Sequence, residues 1–249
     1  MKKSGLLLLA IVGSISWMVS CKKNTYKVTE RILVTDKALL KLGYFSPTVN
    51  NPGVQAKVNG TRISNLLLYG TPFPGGGLGT LGLSNSDYLQ INPGSAPFTL
   101  TIPKFGTDED SVKLFEGSFD FQQKRQTLFI TDTIPNVTGI LVDDEAATPT
   151  DSGKVRIKFV NLIPNAGLVD FYRGNELIKA DIPYKGVTEY VDVFAGAQTY
   201  AVKQADSTTT LGSRSINPAA GRIYTFFSRG YKGGATSAIT PTVSAMVVQ

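Results

Sequence analysis

Tyr88-Leu89-Gln90-Ile91-Asn92-Pro93-Gly94 and Tyr190-Val191-Asp192-Val193-Phe194-Ala195-Gly196 decide the fold. In each, a tyrosine leads a strand of alternating character into a glycine turn. A second strand follows, Phe98-Thr99-Leu100 in one and Tyr200-Ala201-Val202 in the other. That is a hairpin signature, and the chain carries it twice. Working outward, residues 40–47 match 157–164, each a strand running into a proline, and residues 53–60 match 167–174 between paired glycines. Residues 127–131 and 139–142 then match 223–227 and 243–248. Internal self-similarity on this scale marks a duplicated structural unit.

Alternation of period two, as in Leu40-Lys41-Leu42-Gly43-Tyr44-Phe45 and Val155-Arg156-Ile157-Lys158-Phe159, predicts strands buried on one face and wet on the other. No helical period competes with it. Short strands separated by Gly, Pro, Asn and Asp predict an all-β chain of two tandem antiparallel β-sandwich domains. We place them at residues 37–143 and 154–249, joined by a linker over 144–153 that is too polar to pack. Leu42, Phe98, Phe129, Phe159, Tyr200 and Phe226 are the expected core.

The 249 residues include 25 Lys+Arg, 19 Asp+Glu, one Cys and no His. Without histidine there is no Ser-His-Asp or Cys-His device and no imidazole metal site. A lone cysteine excludes an internal disulfide and a Cys-rich zinc centre. That cysteine ends a segment with the grammar of a secretory signal. Lys2 and Lys3 are followed by the apolar run 6–12, and no residue from Ser4 to Cys21 is charged. Met18-Val19-Ser20-Cys21 resembles the lipobox of bacterial lipoprotein signal peptides. The resemblance implies a signal peptide over 1–20, acylation of Cys21 and a tether over 21–36. At ~0.8 kcal/mol per buried methylene, three long acyl chains hold a protein on a membrane almost permanently. Lys22, Lys23, Lys27 and Arg31 would then lie beside the headgroups, each adding about 1 kcal/mol on anionic lipid.

The second copy resembles a known family. Asp143-Asp144-Glu145, Pro149, Gly153-Lys154-Val155-Arg156, Asn161, Pro164-Asn165-Ala166-Gly167, Asp170, Tyr172, Gly174 and the 190–196 turn carry the likeness. Together they are similar to domain-of-unknown-function family 4397 of Bacteroidetes lipoproteins. The likeness is fuller over residues 150–230 than in the first copy. There Tyr44 stands for Asn161, Ala56 for Asp170, and a glycine-rich insertion intervenes. The resemblance implies immunoglobulin-like sandwiches in tandem on an exported lipoprotein, and it brings no activity.

Candidate sites are few. Gly77-Leu78-Gly79-Thr80-Leu81-Gly82 satisfies the dinucleotide G-x-G-x-x-G spacing, but that motif works only where a strand enters a helix. We read residues 72–82 as a loop whose Phe73, Gly77, Leu78 and Leu81 could contact a partner. Tyr69, Tyr184 and Tyr231, near Gly or Pro, are candidate exposed rings for a sugar face. Asp143, Asp144 and Glu145 form a weak calcium candidate, and Asp108-Glu109-Asp110 is a second acidic run. Neither has EF-hand spacing, and solvated charge is the default reading. No catalytic residue, cofactor or firm metal site is predicted, and no basic run interleaves with aromatics as nucleic-acid binding would need. The expectation is a non-catalytic structural or protein-interaction module, lipid-anchored in the outer membrane. The periplasmic face is preferred because Lys22-Lys23 replaces the acidic residues associated with surface display. The alternatives are a glycan-binding surface lipoprotein and, remotely, an envelope glycoside hydrolase or other enzyme.

Overall fold

The computed structural model describes residues 36–249 apart from Val49, Leu83, Asp108, Ser237 and Ala238. The signal peptide, Cys21 and all of the tether except Asp36 therefore lie outside the described residues. Strands and turns account for the described secondary structure, as the alternation predicts.

The first repeat contributes β1 (Ala38–Tyr44), β2 (Gln55–Val58), β3 (Thr61–Arg62), β6 (Leu89–Ile91), β7 (Gly94–Pro103), β8 (Asp110–Phe121), β9 (Arg125–Thr131) and β10 (Thr138–Asp143). The second contributes β11 (Lys154–Asn161), β12 (Val169–Arg173), β13 (Glu176–Ile182), β14 (Val191–Phe194), β15 (Gln198–Gln204), β16 (Thr210–Ile216), β17 (Ile223–Arg229) and β18 (Thr242–Val247). Sheet order repeats strand for strand. β10-β9-β1-β6 answers β18-β17-β11-β14, and β3-β2-β7-β8 answers β13-β12-β15-β16. Each half is a two-sheet sandwich, and the chain is all-β. Most pairings are antiparallel, with one parallel pair in each half, β1 with β9 and β11 with β17.

Two apolar cores fill the sandwiches. Leu42, Phe98 and Phe129 are buried in the first half and Phe159, Tyr200 and Phe226 in the second. In the second core Phe159 stacks on Phe171 with ring centres 4.2 Å apart, and Tyr200 meets Phe226 at 4.3 Å. Aromatic pairs at such distances add about 0.5–1.5 kcal/mol beyond the area they bury.

The expectation of one wet face fails for the inner strands. Leu40, Leu42 and Tyr44 enter the first core, while the alternate residues meet the second repeat. Lys41 is 0% exposed and donates to the Val247 carbonyl at 2.5 Å. Phe45 lies 4.4 Å from Phe227, and Phe129 lies 5.3 Å from it, ring centre to ring centre. Every residue of β17 is buried. The sheets carrying β1 and β11 thus lie back to back, and residues 36–249 form one compact unit. The polar half of the alternation faces protein.

The glycine-rich insertion is not a loop. β4 (Thr71–Phe73) pairs with β1, and β5 (Gly77–Leu78) crosses to the second repeat, where Leu78 faces Ala245 and Gly77 faces Met246 on β18. Beyond it, the Gly79 carbonyl accepts from Arg214, Arg229 and Ser244. Glycine is required here. Gly76 has φ +88, and a Cβ on it would sit 2.2 Å from the Asn85 carbonyl oxygen. The insertion straps the two sandwiches together.

Candidate functional site

Strand register aligns the repeats residue by residue. Lys41 lies opposite Thr127, and Lys158 lies opposite Thr225. Leu89, after Tyr88, pairs with Leu40, and Val191, after Tyr190, pairs with Ile157. Val142 pairs with Thr127 and Met246 with Thr225, so Asp143 corresponds to Val247 and Asp144 to Val248.

These equivalent residues converge at the junction. The Asp144 carboxylate is 0% exposed and accepts from the Thr127 hydroxyl through one oxygen and from the Thr225 hydroxyl, at 3.1 Å, through the other. Tyr88 also donates to it at 3.1 Å, and the Lys158 ammonium lies 3.5 Å away. The two lysines behave reciprocally. Lys41 bonds the Val247 carbonyl of the second repeat and sits 4.3 Å over the Tyr88 ring. Lys158 bonds the Asp143 carbonyl of the first and sits 4.7 Å over the Tyr190 ring. One carboxylate serves both copies, because Val248 occupies its counterpart.

Burial dominates the electrostatics. Desolvation pulls the Lys41 ammonium down to about 8 against the opposing field of Asp144, and lowers Lys158 in the same direction. Burial, and then the Asp144 charge, push the Tyr88 phenol upward. Since Lys41 holds its proton less tightly folded than unfolded, the unfolded chain binds more protons between about pH 8 and 10.5, and stability rises with pH across that window. Tyr44, raised to about 12 by burial, acts oppositely once unfolded tyrosines ionise near pH 10. Urea titrations at pH 7, 8, 9 and 10 should therefore show the native chain gaining on Lys41→Met as pH rises. A constant difference would mean that Lys41 is not desolvated.

The predicted site residues disperse. Phe73 is half-buried against the first core, Gly77 is buried, Leu78 packs on the second core, and Leu81 is exposed. Tyr69, expected at the surface, is 5% exposed with the Arg229 guanidinium 5.2 Å over its ring. Tyr184 and Tyr231 are half-buried in separate loops. The acidic triplet points three ways: Asp143 to Lys124 and Gln126, Asp144 inward, and Glu145 to the Arg125 amide. No group that could hold a metal occurs among the described residues, and here each carboxylate already has partners. Of the other acidic run, Asp108 lies outside the described residues and Glu109 pairs with Lys104. Asp110 is held down to about 2 by hydrogen bonds from Lys57, Thr101 and Gln55.

Two open grooves among the described residues bear on function. One, of about 480 Å³, lies beside the fully exposed Phe105 and includes Leu66, Ile102 and Arg62. The other, of about 460 Å³, runs between β10 and residues 187–190, with Leu141, Glu145, Lys158 and Glu189 in its walls. Neither was foreseen. Lys41, Lys158, Tyr88, Tyr190, Thr127 and Thr225 were also missed, although the alignment contained the identities of Lys41 with Lys158 and of Tyr88 with Tyr190. That of Thr127 with Thr225 emerges only from the strand register, two places out of step with the match of 127–131 to 223–227.

A duplicated sandwich closed around a shared polar centre defines a tandem-repeat β module. The chain belongs to the family described as Domain of unknown function (DUF4397), whose model matches residues 45–172 and 162–245. No curated protein matches it. Among solved structures, a leucine-rich repeat protein from Bacteroides thetaiotaomicron is 17% identical, with 76% of this chain and 26% of that one covered and a TM-score of 0.19. This chain thus spans about a quarter of that protein's length. The alpha-glucan-recognising family 41 carbohydrate-binding modules of streptococcal virulence factors are 12% identical, with 83% and 96% covered and a TM-score of 0.23. Likeness at those scores carries no argument here.

Proposed function

We propose that the protein is a lipid-anchored envelope module of a Bacteroidetes-type bacterium that binds another protein and performs no chemistry. One observation carries the non-catalytic part: the buried Lys41-Asp144-Lys158 cluster has both carboxylate oxygens and both ammonium groups engaged within the protein. Shifted groups concentrate at active sites, but a site at work leaves a base or nucleophile facing a cleft. Here the Asp144 carboxylate is closed off by its own donors. Lys158, the member that reaches the wall of a groove, is only 4% exposed and is held by the Asp143 carbonyl, so the cluster joins the repeats and presents no free base. The anchor reading rests on the 18–21 lipobox likeness.

Two measurements on cells test the reading. Cys21→Ser should move the chain from the membrane to the soluble fraction, and the native N-terminal peptide should carry acyl mass. In-cell crosslinking should give a discrete adduct with a second protein. An unmodified Cys21 on an uncleaved chain would remove the anchor, and a chain that crosslinks to nothing would remove the module.

A further inference from the structure

We propose that the groove beside β10 is an acceptor for an extended strand from another protein, small where it passes Lys158 and cationic where it meets Glu145 and Glu189. The proposal rests on the interaction-module reading and locates its contact.

The backbone supplies the first argument. The Asp144 amide bonds the Arg125 carbonyl, which puts Asp144, Val142 and Ile140 on the hydrogen-bonded positions of the β9–β10 ladder. Gly139 and Leu141 therefore turn their N–H and C=O groups away from β9. Neither finds a backbone partner among the described residues. The Asp143 carbonyl, also outward, is taken by Lys158. A strand edge with free donors and acceptors is a template for another strand.

The second argument is internal. Leu141 and Ala245 occupy equivalent places, opposite Leu128 and Phe226. On the second repeat that edge is already filled, because β5 pairs antiparallel with Ala245 and Met246 and the Gly76 carbonyl accepts from Val247. The molecule thus shows what this position takes. A Cβ on Gly76 would lie 2.7 Å from the Lys41 ammonium, so the residue passing the matching Lys158 must also be small. The second repeat's counterpart of β4 is the single antiparallel bridge of Val187 to Val160, and only two residues separate Val187 from Tyr190, so no insertion follows it and β10 keeps its edge.

Charge supplies the third. Glu145 and Glu189 line the groove, and neither forms an ion pair among the described residues. A lysine or arginine on the incoming strand would complement them.

The test uses a phage-displayed library of random peptides panned on the full chain in detergent, with enriched peptides measured by fluorescence anisotropy. Leu141→Pro deletes the outward N–H without touching a β9 bond, and an edge strand tolerates proline. We expect it to weaken the enriched peptides about tenfold, as loss of a backbone hydrogen bond with added steric conflict should. Leu177→Ala, at an exposed position on β13 that does not line the groove, should bind as the native chain does, and Glu145→Gln/Glu189→Gln should weaken binding and flatten its salt dependence. Urea midpoints confirm that each variant is folded. Peptides indifferent to Leu141→Pro overturn the groove assignment and leave the module reading standing, as does a cellular crosslink unchanged by it. A library without binders, or a concentration-dependent dimer abolished by Leu141→Pro, also overturns it, the latter in favour of a second copy.

Discussion

Asp144→Ala should lower the free energy of unfolding by about 3–5 kcal/mol, the range for removing one partner of a buried ion pair. The loss is large because of what stays behind. Lys41 and Lys158, at 0% and 4% exposure, would share a dry interface with no carboxylate. The Thr127, Thr225 and Tyr88 hydroxyls would lose their common acceptor, and each orphaned buried donor costs about 1–3 kcal/mol. The effects overlap, so their sum overstates the outcome. A double-mutant cycle separates charge from hydrogen bonding. In a Lys41→Met/Lys158→Met background the carboxylate no longer neutralises cations, and Asp144→Ala should cost at least about 1.5 kcal/mol less. Guanidinium titration of the four chains reads this directly. Equal losses in both backgrounds would show that the lysines do not depend on Asp144.

Why this centre escaped the sequence is physical. Residues 40–45 and 155–159 alternate as half-wet strands do, and a lysine on a strand is normally a solvent-facing residue. Alternation reports that two faces differ, not that the second is wet. Here the polar face of each repeat is covered by the polar face of the other, and the sequence of one strand carries no record of that partner. Asp144 misled for the same reason. In the run Asp143-Asp144-Glu145 it reads as linker charge, yet one step of pleat separates its buried carboxylate from the exposed ones on either side. What the sequence did carry was the duplication. Each matched segment fell on an equivalent pair of strands, in step at Tyr88 with Tyr190. The register, however, sets 53–60 one residue and 127–131 two residues off the sequence match, so that Ala56 answers Phe171 and not Asp170. The insertion was legible as an insertion but not as a strap, because its pairing partner lies in the other repeat.

The junction has an apolar half as well, and Phe227→Ala should cost about 3–5 kcal/mol, the usual loss for a buried phenylalanine. Adjacent phenylalanines on β17 serve different neighbours. Phe226 points into the second core against Tyr200, whereas Phe227 belongs with the first-repeat cluster, 4.4 Å from Phe45 and 5.3 Å from Phe129. Both are 0% exposed, so burial alone does not distinguish them. Their consequences should differ. Phe226→Ala leaves a cavity inside one sandwich and should lower a single cooperative transition. Phe227→Ala removes the ring that connects the two, so the repeats should begin to unfold separately, and denaturation followed by probes in each half should no longer coincide. Tyr44 and Tyr200, one in each core, offer such probes once labelled with fluorine for NMR. If the Phe227→Ala loss stays under about 1.5 kcal/mol and both probes still melt together, the back-to-back packing of the repeats is wrong. In that case the register that brings Lys41, Thr127 and Thr225 to Asp144 fails with it.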